Sequence, residues 1–171
     1  VRFDGLNDTG TIPDPASGVL DFGTASFSYG FWVSFDLNSD VTGAWQIPFH
    51  KGGSSASQVG YDVEFSETSN RLHANLQDGV NWKRVSYAAN LRDGLWHHVC
   101  VVVNRSANTF TLYVDRTQRG QTNLTGLGSL SSANPVVFSR ATSAPLDGRL
   151  DEVRLYNRAL SATEVKSLAG Q

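Results

Sequence analysis

Between residues 71 and 84 the chain alternates polar and apolar side chains and ends on an aromatic–cation pair. Arg71, His73, Asn75 and Gln77 share one parity, and Leu72, Ala74 and Leu76 share the other. On a strand whose leucines turn inward, the polar set therefore faces outward as a row. Trp82 and Arg84 share parity in the next apparent strand. Saccharides require this mixture: aromatic area for their C–H faces, directional groups for their hydroxyls, and a guanidinium fork for any acidic substituent. His73, Asn75, Gln77, Trp82 and Arg84 are accordingly the candidates for a carbohydrate-binding surface. The same groups would also serve a contact with another protein, and alternating strands expose polar residues even without a ligand. Trp45, His50 and Lys51 form a further, loop-borne candidate patch.

Cleavage is less well provided for. In Asp62-Val63-Glu64-Phe65-Ser66-Glu67 the first two carboxylates share an outward face and the third does not, a poor match to paired glycosidase carboxylates. Asp151 and Glu152 are adjacent, so on a regular strand they point to opposite faces. No G-x-S-x-G or H-E-x-x-H segment occurs, and Cys100 sits in an apolar run without an activating neighbour. A lyase built on His73 or His98, with Tyr87 or Tyr113 and Arg84, would need several side chains gathered from separate segments. Binding without catalysis is the leading expectation, with polysaccharide lyase or glycoside hydrolase activity behind it. His97 and His98, as strand neighbours, cannot act as paired metal ligands.

Those residues need a scaffold. Phe27, Tyr29, Phe31, Val33 and Phe35 share one parity, with Ser28, Gly30, Ser34 and Asp36 mainly on the other, and the same period of two recurs at Tyr61-Val63-Phe65 and Phe110-Leu112-Val114. Val99 to Val103 is apolar on both parities, as in a central strand, and residues 104–108 turn it into the next one. Repeated alternation predicts two antiparallel sheets face to face. A helical pattern appears only at the end, where Ser161-Ala162-Thr163-Glu164 has capping-box spacing and Val165 and Leu168 can seat one short helix. In the last strand Asp151 shares parity with Val153 and Leu155, so its carboxylate is expected inside, compensated by hydrogen-bond donors, an opposite charge or a metal.

The length of 171 residues suits one domain spanning 1–171, large enough to enclose a core without staples. A net charge of -2, with 18% charged residues, gives no general grip on nucleic acid. No segment is long and apolar enough to span a membrane. With one cysteine there is no internal disulfide. The absence of methionine points to a processed or excised module, and the expected setting is secreted or extracellular, including association with a cell surface.

Several segments resemble the laminin-G-like jelly-roll family of the concanavalin A-like lectin/glucanase superfamily. They are Phe27 to Val33, Leu95-Trp96-His97-His98-Val99, Leu112-Tyr113-Val114-Asp115 and, most closely, Leu146 to Ser161, with Val1 to Gly5 at the start. Two turns depart from the pattern: Arg116 stands where Gly is common, and Asn104-Arg105 replaces a common Asp-Gly. The resemblance implies an all-β, two-sheet antiparallel jelly-roll sandwich with a short C-terminal helical turn. It covers carbohydrate-binding modules, adhesion domains and accessory domains of enzymes, so the expected partner is a polysaccharide or glycan, with a protein partner or an attached enzyme domain as the alternative. It also implies a structural calcium site joining the chain's two ends, with Asp4 and Asp151 as its ligands here and Asp147 as an additional one. A metal-free Asp151 bonded to donors stays open beside it.

Overall fold

The computed structural model describes residues 1–37, 45–52, 57–141 and 143–170. Among them are twelve strands and one helix: β1 (Arg2–Asp4), β2 (Gly10–Ile12), β3 (Phe27–Phe35), β4 (Trp45–Gly52), β5 (Val59–Ser66), β6 (Arg71–Asp78), β7 (Trp82–Ala88), β8 (His97–Asn104), β9 (Thr109–Val114), β10 (Thr117–Asn123), β11 (Val136–Phe138), β12 (Asp147–Tyr156) and α1 (Ala162–Leu168). They form two six-stranded sheets, β1-β12-β3-β8-β9-β10 and β2-β11-β4-β5-β6-β7. Every pairing is antiparallel.

The alternation in sequence becomes the inner face of each sheet. Phe27, Tyr29, Phe31, Val33 and Phe35 of β3 meet Phe49, Tyr61, Val63 and Phe65 of the other sheet in one buried cluster, with no exposure at any of them. Aromatic rings bridge the two layers, Tyr29 to Phe49 at 5.0 Å and Phe35 to Phe65 at 4.9 Å between centroids. The expected hairpin between β8 and β9 forms in the register Asn104↔Thr109.

The terminal helix also follows its sequence signal. Ser161 caps it, the Ser161 and Glu164 side chains bond reciprocally to backbone amides, and Val165 is buried. Leu160 and Val165 close over Cys100, Val102 and Tyr113, covering part of the outer face of the first sheet. Among the described residues no helix is long and apolar enough to cross a membrane.

Strand β12 corrects one expectation. Leu150 pairs with Val33 and Asp151 with Trp32, and the register then slips before Arg154 meets Gly30. The slip is a bulge at Glu152, whose φ of 52° lies in the left-handed region. An extra residue reverses the parity on either side of it. Val153 and Leu155 still pack against the core, while Asp151 is exposed on the outer face and not inside as its parity implies.

Candidate functional site

The outer face of the β4–β7 sheet is built by three strand registers. Asp62 lies opposite Asn75, Glu64 opposite His73, and the next strand adds Arg84 beside Asn75, Ser86 beside His73 and Trp82 beside Gln77. The β6–β7 turn fixes that second register. Asp78 accepts from the amides of Val80, Asn81 and Gly128 at 2.8, 2.5 and 2.6 Å, and its own N–H donates to Asn81 O. These bonds hold the Asp78 carboxyl well below the usual range despite partial burial.

One hydrogen-bonded network runs across the face. Asn75 Nδ2 donates to Asp62 Oδ1 at 2.5 Å and Gln77 Nε2 to Asp62 Oδ2 at 3.0 Å. Asn75 Oδ1 accepts from Arg84 Nε at 2.8 Å and Trp82 Nε1 at 3.2 Å. Arg84 also pairs with Glu64, and His73 Nδ1 meets Ser86 Oγ at 2.7 Å. The guanidinium of Arg84 lies 4.3 Å from the ring of Trp82 and 6.0 Å from that of Trp45. Arg84 thus lies over the ring of Trp82, with that of Trp45 farther off, and its side chain stays partly exposed. A cleft of about 340 Å³ opens beside it, lined by Trp45, Ile47, Glu64, Arg84, Arg140 and Ser143.

The structure thus gathers all five proposed binding residues, in two layers. His73, Asn75 and Gln77 have outward parity but are only 6%, 1% and 1% exposed, because the larger side chains of β7 and Trp45 lie over them. They form a buried layer, and above it lie Trp82, 48% exposed, with Arg84 and Trp45. Trp45, His50 and Lys51 all belong to β4 and not to a loop. They do not converge: Trp45 joins the cleft, His50 Nδ1 bonds Gly52 O at 2.9 Å, and Lys51 is fully buried on the other side of the strand.

Asp62 was legible only as half of a catalytic pair, and it is instead the hub. Burial pushes its carboxyl up to about 7, Glu64 adds to this, and the Asn75 and Gln77 amides work against it. Burial, with Arg84 and Arg71 nearby, lowers the His73 imidazole to about 4. Arg140 and Ser143 come from a connection that carries no periodic signal. Their place in the cleft was not legible in the sequence.

Asp4 and Asp151 are not placed to share an ion. In the β1–β12 ladder Asp4 pairs with Asp147, so Asp151 stands four residues further along, roughly 13 Å away at strand spacing. Asp4 is occupied as a turn acceptor for the Leu6 amide at 3.0 Å. Among the described residues no group of three or more His, Cys, Asp or Glu side chains is placed to hold a metal.

The laminin G model described as Concanavalin A-like lectin/glucanases superfamily matches residues 4–166. The chain belongs to this family. No curated protein matches it in sequence. Among solved structures it is similar to the binding domain of Paraclostridial Mosquitocidal Protein 1, with TM-score 0.74 and 17% identity over 96% of this chain and 42% of that one. The chain spans about two fifths of that domain's length. The Ruminococcus gnavus IT-sialidase CBM40 matches with TM-score 0.75 and 11% identity over 100% and 98% of the two chains. The same CBM40 bound to alpha2,3 sialyllactose matches at 0.71, with 11% identity over 98% and 100%. At these identities the likeness is one of fold.

Proposed function

We propose that this domain binds a glycan carrying an acidic sugar, without cleaving it, through Trp82, Arg84 and Trp45 on the outer face of the β4–β7 sheet. The observation that carries the reading is the Arg84 guanidinium over the ring of Trp82, with that of Trp45 farther off, beside an open cleft. Indole faces take the C–H side of a sugar ring, and a planar fork takes a carboxylate in two bonds. Arg84 and Arg140 both line the cleft, with Glu64 paired to Arg84. The CBM40 structure carrying alpha2,3 sialyllactose supports an acidic sugar as the first candidate.

Against cleavage stands the state of the two carboxylates. Asp62 is fully enclosed under two amides, and Glu64 is only 7% exposed and tied to Arg84. Neither is free to protonate a glycosidic oxygen or to direct a water. A glycan ligand also favours a secreted or cell-surface setting for the parent protein.

Calorimetry with 3′-sialyllactose, oligogalacturonate and lactose tests this. The acidic sugars should bind more tightly than lactose, and Trp82→Ala and Arg84→Ala should each weaken binding by about tenfold or more while circular dichroism stays unchanged. Arg84→Lys should fail to restore it, because a point charge cannot reproduce the stacked fork. Equal affinity for lactose and sialyllactose, or full binding in both alanine variants, would sink the reading.

A further inference from the structure

The four tryptophans of the chain stay out of the core and divide between the two outer faces. Trp45 and Trp82 belong to the site above. Trp32 has outward parity on β3, opposite His98 and Asp151, and Trp96, 41% exposed, precedes β8. Between them the first sheet holds a pocket of about 130 Å³ with Gly30, Trp32, His98, Arg154 and Tyr156 in its lining. A cleft of about 310 Å³, lined by Trp32, Trp96, Asp151 and Glu152, adjoins it. Trp32 and Glu152 line both, so the two form one groove.

Three features show a built concavity. Gly30 is the one outward position of β3 without a side chain, and a Cβ there would come 3.0 Å from Val99 O, so the floor stays open. His98 is only 4% exposed, stands edge-on to Trp32 at 5.3 Å, and keeps an Nδ1 without a hydrogen-bond partner. The bulge at Glu152 is the third. On a regular strand Asp151 and Glu152 would face opposite ways, but the left-handed residue turns both toward the same cleft. A non-glycine residue held at φ 52° is a local cost of the kind that persists where a side chain must be re-aimed.

From this geometry we infer a second saccharide site on the β3–β12 face, selective for neutral sugars. Trp32 and Trp96 supply stacking area, and the Asp151 and Glu152 carboxylates accept from sugar hydroxyls. Arg154 pairs with Glu152, which leaves Asp151 as the uncompensated charge of the groove. An acidic sugar is repelled there, whereas the first face attracts it. The domain would thereby hold two glycan segments of different charge on opposite sides. This adds a site to the function proposed above and stands on different residues, so the two fail separately.

The indole N–H signals of the four tryptophans distinguish the faces. In ¹H–¹⁵N spectra, titration with cellobiose, lactose and N,N′-diacetylchitobiose should shift Trp32 and Trp96 in at least one case, and 3′-sialyllactose should leave those two signals in place. Trp96→Ala should weaken the neutral-sugar response about tenfold, and Asp151→Asn should weaken it several-fold by replacing a two-oxygen acceptor with an amide. The second site is overturned if none of the three disaccharides moves Trp32 or Trp96, or if the response survives both variants undiminished. Failure of sialyllactose to move Trp45 and Trp82 counts against the first face alone.

Discussion

Asp62 is held between opposing electrostatic influences. Two amide donors favour its charged form, yet burial outweighs them and its carboxyl titrates at about 7, against 3.8 for an ordinary aspartate. Between these values the folded chain keeps a proton that the unfolded chain has lost. This contribution to stability is therefore fully present below about pH 4, declines as pH rises through 7, and amounts to at most about 4 kcal/mol. His73, lowered to about 4 by burial and nearby Arg84 and Arg71, acts in the opposite sense across the same window. The readout is thus the difference between parent and Asp62→Asn in urea unfolding from pH 4 to 8. The variant should gain on the parent as pH rises, and parallel curves would contradict the assignment. The alternation of Tyr61, Val63 and Phe65 placed Asp62 on the outer face from sequence alone. Its burial depends on which residues lie opposite on β6 and β7, and that register comes from a turn whose geometry the composition does not specify.

At the scale of elements, strands and the helix were readable because their signals are local: parity at β3 and β6, and Ser161 with Glu164 at α1. The bulge in β12 was not, since Asp-Glu-Val contains no glycine to mark a left-handed residue, and a single inserted position inverted the side of Asp151. The two turn departures have a shared physical reason. Asp115 and Arg116 both take positive φ, 50° and 68°, and Arg116 donates to Ala169 O through Nε at 3.1 Å and a terminal nitrogen at 3.0 Å, fastening the end of α1. Arg105 likewise reaches out of its hairpin to the carbonyls of Leu127 and Gly128, both at 2.7 Å. Arginine at these turns ties a neighbouring segment to the sandwich, which glycine cannot do. Arg105→Ala should accordingly cost about 2 kcal/mol from the lost charge-assisted bonds. It should also speed hydrogen exchange at the Leu130 amide, which donates to Gly23 O at 3.0 Å in the same loop. Unchanged exchange there would show that the loop is held without Arg105.

Across the whole molecule, the groups proposed for binding and a buried stabilising clasp lie on different faces of the same sheet. Strand β4 carries Trp45 to the outer cleft and turns Lys51 the other way, opposite Tyr61 and Val136. A fully buried lysine is costly unless every N–H finds an acceptor. Lys51 Nζ donates to Asp14 Oδ1 at 2.8 Å, to Asn134 O at 2.8 Å and to Ser132 O, and Asp21 Oδ1 lies 3.5 Å away. The cation thus joins the segment before β3, strand β4 and the loop before β11, three stretches remote in sequence. No sequence pattern announces such a clasp, because its acceptors are scattered carbonyls and two aspartates of unremarkable loops. Lys51→Met keeps the stem's volume and removes the charge. It leaves two carbonyls without a donor, while Asp14 and Asp21, partly exposed, fall back on water. The expected cost is about 3 kcal/mol in urea unfolding, toward the lower end of broken buried pairs. Asp14→Asn should cost less alone and almost nothing further on top of Lys51→Met, since the partner it serves is already gone. Glycan affinity at Trp82 and Arg84 should be unchanged in folded Lys51→Met, because the clasp lies on the inner side of the sheet. A stability within about 0.5 kcal/mol of the parent would mean that the three segments are held by packing alone.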